Sequence, residues 1–131
     1  STILLHGRSL GAGPSLELAS KYPVGGVILE SAFVTAFRVL TRIPFFPFDQ
    51  FRNLDKIPNI NCPSLIIHGE RDEVVPFWHG QRLHEAAPEP KTFLPLPEAS
   101  HNDVRSVGGS TYFNAIRSFA DSLSAPKENA P

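Results

Sequence analysis

Residues 3–11 read Ile3-Leu4-Leu5-His6-Gly7-Arg8-Ser9-Leu10-Gly11, and they predict a strand that passes through a tight turn towards a helix. The apolar start predicts a buried strand, and residues 10–21, at the end of the Gly-x-Ser-x-Gly motif and beyond it, have the spacing of a helix. A serine held between a strand and a helix in this motif is typical of a nucleophile on a sharp, strained turn. We expect glycine to be required at Gly7 and Gly11, because side chains at both positions would collide.

The same turn predicts half of an oxyanion hole. The backbone N–H of Leu10 would lie at the start of the helix, where amides lack partners and the helix dipole favours negative charge. We therefore expect the Leu10 N–H to stabilise a developing oxyanion. The three fixed positions of the Gly-x-Ser-x-Gly motif match by chance in roughly a few of every hundred chains of this length. The assignment of Ser9 as a nucleophile therefore needs a base and an acid elsewhere in the chain.

Polar residues follow two later apolar runs and supply that acid and base. Asp72 comes after the strand-like residues 64–67, and His101 comes after the strand-like residues 91–96. In a parallel sheet both residues would lie with Ser9 at the carboxyl ends of the strands, where α/β proteins build their sites. Each residue alone has an ordinary explanation, since a loop aspartate often forms a turn and a loop histidine often faces solvent.

Four separated motifs resemble the α/β-hydrolase superfamily, and in particular its Bem46-like, or ABHD13/ABHD17-like, branch of serine hydrolases. The motifs are Gly7-Arg8-Ser9-Leu10-Gly11, Ile28-Leu29-Glu30-Ser31-Ala32-Phe33, His68-Gly69-Glu70-Arg71-Asp72-Glu73-Val74-Val75-Pro76 and Ser100-His101-Asn102-Asp103. The resemblance implies Ser9 as nucleophile, Asp72 as acid and His101 as base, in the chain order given for these hydrolases. On spacing alone Glu70 or Glu73 could replace Asp72, but the resemblance favours Asp72.

The resemblance also bears on domain organisation. The chain opens without Met, inside the predicted first strand, and is much shorter than such a hydrolase. We expect residues 1–124 to be the C-terminal half of a hydrolase domain whose absent N-terminal strands carry the second oxyanion donor. Residues 125–131 are expected to be a flexible tail. The run from Thr2 to Leu5 would then present an unpaired sheet edge that promotes self-association.

Alternating apolar runs and helical spacings predict a parallel sheet of about four strands flanked by helices, an α/β fold. The predicted strands cover residues 2–5, 24–29, 64–67 and 92–96, and the predicted helices cover residues 10–21, 77–87 and 111–123. Residues 32–61 are expected to start as a helix to about Thr41 and then to become irregular at their prolines. One apolar face of the last helix is expected to hold Phe113, Ile116, Phe119, Ala120 and Leu123.

Composition limits the classes of protein to consider. With 41% hydrophobic and 19% charged residues, the chain suits a globular domain better than a disordered segment. A net charge of -1 gives no electrostatic footprint for nucleic acid or an acidic membrane, and no apolar run approaches the roughly 20 residues of a membrane span. We favour a cytoplasmic location and expect the single Cys62 to be a small buried hydrophobe.

No cofactor and no metal are expected. His79 and His84 are five residues apart, which does not place both on one helix face as the HExxH spacing does, so both are expected to face solvent. Residues 11–14 stop short of a phosphate-binding glycine pattern.

The predicted chemistry is two-step acyl transfer on carboxylic esters or thioesters, with a small-molecule or acyl-ester substrate. Two alternatives remain open, a serine peptidase of the same fold and a non-catalytic binding or scaffold module. The aromatic stretch of residues 43–51 either lines an acyl pocket beside Ser9 or covers the sheet. Its large side chains are Phe45, Phe46, Phe48 and Phe51.

Overall fold

A four-stranded parallel sheet organises the described part of the chain, which in this computed structural model comprises residues 3–34 and 52–124. The strands stand in chain order across the sheet, and each neighbouring pair is parallel. Their bounds are β1, Leu4–Arg8; β2, Gly26–Glu30; β3, Ser64–Gly69; and β4, Lys91–Leu96. The helices are α1, Ala12–Lys21; α2, Asn53–Lys56; α3, Trp78–Ala86; and α4, Val104–Ser124. The predicted α/β class is confirmed.

The sheet has an apolar core on each face, because successive strand residues point to opposite sides. On one face Val27 and Leu29 pack in a cluster with residues of α1 and α3. On the other face Ile28 packs in a cluster with Tyr112 and Phe119 of α4. Every residue of β2 and β3 is buried, as expected for central strands of a parallel sheet.

β1 ends later than the apolar pattern predicts. The run predicted a strand over residues 2–5, whereas the ladder with β2 continues to Arg8, which pairs in register with Glu30. Strand pairing uses backbone groups, so it does not stop where the apolar side chains stop. The extension places Ser9 directly at the end of the strand.

α4 begins earlier and faces the sheet differently from the prediction. It starts at Val104 and has a kink at Gly109, whose φ is 51°. The predicted apolar face is wrong at Phe113, which is 51% exposed, whereas the neighbouring Tyr112 is buried. This rotation gives the Tyr112 hydroxyl a buried partner in Glu30.

The connection between β2 and β3 differs from the prediction where it is described. Residues 32–34 are not helical, so the predicted helix does not begin there. α2 and a 3-10 turn over Ile57–Asn59 occupy a region predicted to be irregular, because Pro58 is compatible with the first turn of a helix. The remaining predictions lie outside the described residues, namely the helix up to Thr41, the aromatic stretch 43–51 and the tail 125–131.

β1 and β4 are the edge strands of the described sheet. Within residues 3–34 and 52–124, β1 pairs with β2 alone. The predicted self-association would use the backbone groups on the opposite side of β1. None of the helices in these two ranges combines the length and the apolar character that a bilayer crossing requires.

Candidate active site

Ser9 lies on a sharp turn between β1 and α1. Its φ of 54° is in the left-handed region that residues other than glycine rarely adopt. A 3-10 turn over Ser9–Gly11 leads into α1, so the Leu10 amide lies in the turn directly ahead of a helix. Ser9 is half-buried and Leu10 is 45% exposed, so this turn is open to solvent.

The two glycines of the motif play different parts. A Cβ at Gly7 would lie 2.6 Å from the Ser15 Oγ and 2.7 Å from the Gly11 carbonyl oxygen, so no side chain fits there. A Cβ at Gly11 would meet open space among the described residues, and its φ of -67° is ordinary for a helix. The predicted collision is confirmed at Gly7 and wrong at Gly11, because the chain has entered the helical turn by that point.

Asp72 lies in the loop after β3 and is held by the backbone of that loop. Its side chain is 0% exposed, and its Oδ1 accepts hydrogen bonds from the amides of Val74 at 2.9 Å and Val75 at 2.7 Å. Amide donors satisfy a buried carboxylate oxygen. The second oxygen, Oδ2, is left for another partner.

His101 is that partner. Its Nδ1 donates to Asp72 Oδ2 at 2.9 Å, and its side chain is 11% exposed. Because a carboxylate only accepts hydrogen bonds, Nδ1 carries the proton and Nε2 keeps a lone pair in the neutral ring. This arrangement can hold a histidine base in one tautomer and stabilise its cation.

The Ser9 turn and the His101 loop are neighbours at the carboxyl ends of the strands. The guanidinium of Arg8, the residue before Ser9, donates to the His101 carbonyl oxygen at 3.0 Å. Within the described ranges no hydrogen bond joins the Ser9 hydroxyl to the His101 ring. Hydrogen bonds of this kind often tighten only in complex with substrate.

Backbone contacts join the loops that carry Asp72 and His101. The amide of Glu70 donates to the Leu96 carbonyl at 2.9 Å, and the amide of Arg71 donates to the Ala99 carbonyl at 3.0 Å. A Cβ at residue 69 would collide with the Ala99 carbonyl oxygen, so only glycine fits at the end of β3. Backbone hydrogen bonds therefore fix the two loops to each other, in addition to the side-chain contact between His101 and Asp72.

Other carboxylates near this junction have different surroundings. Glu70 and Glu73 are exposed. Asp103 accepts a backbone amide of its own loop at 2.6 Å. The geometry therefore favours Asp72 as the partner of His101.

His68, which the sequence analysis did not single out, lies next to Asp72. It is fully buried at the penultimate position of β3, and its Nε2 donates to the Val75 carbonyl at 2.7 Å and lies 3.6 Å from Asp72 Oδ2. Burial lowers the pKa of His68, so the ring is neutral at pH 7. His68 thus supports the loop whose amides hold Asp72.

The two histidines of α3 do not both face solvent as predicted. His79 is buried, and its Nδ1 accepts a hydrogen bond from the Val34 amide at 3.0 Å. His84 is half-buried with its ring stacked on Phe93. Cys62 is buried, as expected.

A buried carboxylate, Glu30, lies beside Arg8 at the end of β2. Its Oε2 accepts from Arg8 Nε at 3.0 Å, and its Oε1 accepts from the Tyr112 hydroxyl at 2.5 Å and from His6 Nε2 at 3.3 Å. Burial raises the pKa of the Glu30 carboxyl, but the hydrogen bonds from His6 and Tyr112 and the charges of His6 and Arg8 outweigh burial and lower it. Glu30 is therefore ionised at neutral pH. In the sequence, Glu30 is a charge at the end of an apolar run and belongs to one of the four motifs that resemble the superfamily, but neither feature indicates its partners.

Curated relatives of this chain are α/β-hydrolase domain-containing proteins. In an alignment of 137 positions, the chain is 36% identical to alpha/beta hydrolase domain-containing protein aho-3 of Caenorhabditis elegans. The alignment covers 98% of this chain and 39% of the relative. The chain is 39% identical over 124 residues to alpha/beta hydrolase domain-containing protein 17B of Homo sapiens, with 89% and 41% aligned. The chain thus spans about two fifths of the length of the curated relatives it matches. No protein-family model matches it.

Solved structures of similar proteins share the fold. The esterase domain of a Rhodothermus marinus protein matches with a TM-score of 0.65 at 25% identity, over 87% of this chain and 59% of that one. A monoacylglycerol lipase of Paleococcus ferrophilus matches with a TM-score of 0.73 at 19% identity, over 92% of this chain and 68% of that one.

The parallel sheet, the serine turn and the curated relatives all point to one class of protein, because the relatives are α/β-hydrolase domain-containing proteins and the sheet and turn are those expected for that fold. The curated relatives at 36% to 41% identity include the domain-containing proteins 17B and 17C, which confirms the branch that the sequence motifs resemble.

Proposed function

We propose that this chain carries the catalytic residues of a serine hydrolase that cleaves carboxylic esters or thioesters. One observation carries the proposal. A buried Asp72–His101 pair, hydrogen-bonded at 2.9 Å, lies at the same carboxyl end of the sheet as Ser9, which has a left-handed φ. Ser, Asp and His also follow one another in the chain order of this superfamily. The esterase domain among the similar structures supports esters as the substrate class.

The proposed reaction has two steps. His101 Nε2 removes the proton of the Ser9 hydroxyl as Oγ bonds to the substrate carbonyl carbon, which gives a tetrahedral oxyanion. As the oxyanion collapses, the bond to the leaving alcohol or thiol breaks, and the His101 cation returns its proton to that group. Water then attacks the acyl-serine with His101 as base again, which releases the carboxylic acid and restores the Ser9 hydroxyl.

Two groups support these steps. Asp72 keeps the proton of His101 on Nδ1 and stabilises the imidazolium that forms. The Leu10 N–H donates to the oxyanion, and removing one such donor typically costs roughly 10²-fold to 10³-fold in rate. In α/β-hydrolases, the second N–H donor to the oxyanion comes from a loop that precedes the nucleophile strand in the chain.

Covalent labelling tests the nucleophile. A fluorophosphonate probe should label the full-length protein, and Ser9→Ala should abolish both labelling and hydrolysis of p-nitrophenyl esters. Ser31→Ala is the matched control, because Ser31 also directly follows a strand and has a φ of 54° but is fully buried. Labelling that survives Ser9→Ala would contradict the proposal. A full-length protein that does not label would favour the binding or scaffold module.

A pair of chromogenic substrates tests the bond that is cleaved. We expect the p-nitrophenyl ester of an acyl group to be hydrolysed faster than the p-nitroanilide of the same group. Faster hydrolysis of the anilide would favour the serine peptidase instead.

A further inference from the structure

Arg8 joins three parts of the chain that have to stay aligned in the proposed reaction. It is the last residue of β1 and directly precedes Ser9. Its Nε donates to Glu30 Oε2 at 3.0 Å. Its Nη2 donates to the His101 carbonyl oxygen at 3.0 Å and to Asn102 Oδ1 at 3.2 Å. One side chain thus ties the nucleophile turn to the end of β2 and to the loop of the base.

The carboxylate that holds Arg8 is itself fixed. The Glu30 side chain is 4% exposed, and its other oxygen accepts hydrogen bonds from Tyr112 and His6. A guanidinium is a planar, rigid fork, so fixing one of its edges also fixes where the remaining donors point. Glu30 therefore holds Arg8 in the orientation in which Nη2 faces the His101 loop.

We propose that Arg8, held by Glu30, is a positioning residue that sets His101 against the Ser9 hydroxyl; this inference rests on the proposed serine hydrolase. Arg8 bonds the carbonyl of His101 and acts through that backbone group. The position of the backbone decides where Nε2 stands. A misplacement of about 1 Å can cost on the order of 10²-fold in rate, so losing this tie should lower kcat.

Lysine is a poor substitute for arginine in this position. Its ammonium is a compact charge without the fork that reaches Glu30 on one side and the His101 loop on another. Arg8→Lys therefore keeps a cation next to the buried carboxylate while it removes the tie to the loop. The substitution separates the charge of Arg8 from its geometry.

The main test compares Arg8→Lys with Arg71→Lys in the full-length protein. Arg71 is a matched control: it also precedes a proposed triad residue and forms an ion pair, with Glu98 at 3.1 Å, but these two side chains are 66% and 67% exposed. We expect Arg8→Lys to lower kcat for p-nitrophenyl butyrate and the rate of fluorophosphonate labelling by about 10-fold to 100-fold. KM should change far less, and Arg71→Lys should retain wild-type rates.

Chemical rescue separates positioning from folding. Arg8 and Asn102 line an open groove of about 770 Å³, so a free guanidinium ion can enter the space that Arg8→Ala leaves. Guanidinium at a concentration too low to denature should restore part of kcat without raising the thermal midpoint, and methylammonium should restore less. A purely structural Arg8 would give a lowered midpoint and no rescue.

Asn102→Ala removes one of the Arg8 bonds without touching the buried carboxylate, and we expect a smaller loss of kcat. If Arg8→Lys does not fold, Asn102→Ala tests the positioning role in its place. Wild-type rates in these variants, or an equal loss in Arg71→Lys, would overturn the inference but leave the proposed function standing if Ser9→Ala is inactive. A wild-type protein that neither labels nor hydrolyses esters would overturn both.

Discussion

The two halves of the proposed site are built differently. Asp72 follows β3, which is wholly buried, and amides of its own loop hold it in place. His101 follows β4, an edge strand of the described sheet, and backbone hydrogen bonds join its loop to the loop of Asp72. Ser9 follows an edge strand of the described sheet, and Leu10 beside it is exposed. The backbone fixes the first half, whereas the second half is tied to it by the side chain of Arg8.

This difference has a consequence for how each half responds to change. The amides that donate to Asp72 lie two and three residues away in the sequence, whereas the partners of the Arg8 side chain lie 22 to 94 residues away. Short-range backbone contacts form wherever the loop folds, but long-range side-chain contacts depend on the packing of the whole sheet. We expect abrupt losses of activity from changes to Asp72 or His101, and graded losses from changes to residues that position Ser9, such as Arg8.

Among the substitutions that test this comparison, Asp72→Asn is expected to have the largest effect. An asparagine can still accept the loop amides, but its NH₂ group would face His101 Nδ1 and force the proton onto Nε2, which then cannot act as base. We expect kcat to fall about 10⁴-fold, measured with p-nitrophenyl butyrate. Asp55→Asn, in an ion pair whose side chains are both 59% exposed, is the control. A loss below tenfold would remove Asp72 from the proposed triad.

Three glycine variants compare the packing of the two halves. Gly69→Ala and Gly7→Ala should each lower the free energy of unfolding by about 1–3 kcal/mol, because a Cβ collides with the Ala99 carbonyl in one and with Ser15 and the Gly11 carbonyl in the other. Gly11→Ala should leave stability unchanged or raise it by about 0.4–1 kcal/mol. Urea unfolding measures all three. Equal losses at Gly7 and Gly11 would contradict the distinction between the two motif glycines.

His68→Gln tests the support of the acid loop through the pH dependence of stability. Burial lowers the folded-state pKa of His68, so below about pH 6.5 the unfolded chain binds a proton that the folded protein does not. The stabilisation is therefore present above that pH and is lost as pH falls, at up to about 1.4 kcal/mol per pH unit. Urea midpoints between neutral and mildly acidic pH should fall more steeply in the wild type than in His68→Gln. Parallel slopes would show that another group is responsible.

The smallest effect concerns Tyr112, which anchors the Glu30 carboxylate. Burial, the hydrogen bond to Glu30 and the Glu30 charge raise the pKa of Tyr112 from 10.0 to about 12. The folded protein keeps this proton between pH 10 and about 12 while the unfolded chain loses it, so stability falls as pH rises through that range. Tyrosinate absorbance should show a late ionisation that Tyr112→Phe removes. If the difference between the two proteins appears near pH 10, the Tyr112–Glu30 contact is not formed in solution.

The sequence was sufficient for the fold class and for the end of β4, because buried apolar runs and strand-end polar residues are local patterns. The predicted ends of β2 and β3 fall one and two residues before the observed ends at Glu30 and Gly69. The Asp72–His101 contact followed from the parallel topology together with the family resemblance. The inward face of α4 did not follow, because periodicity alone does not reveal that Tyr112 has a carboxylate to meet across 82 residues. His79 was assigned to solvent for the same kind of reason, since its partner is a backbone amide 45 residues away.

β1 and β2 end in the same way, side by side. Arg8 pairs in register with Glu30, and the serine after each of them has a φ of 54°. The molecule therefore holds two serine hydroxyls at the same φ, of which Ser9 is half-buried and Ser31 is fully buried. Because both serines share the left-handed φ, that torsion alone cannot account for a difference in their reactivity towards one electrophile, which we expect to follow access and the nearness of a proton acceptor.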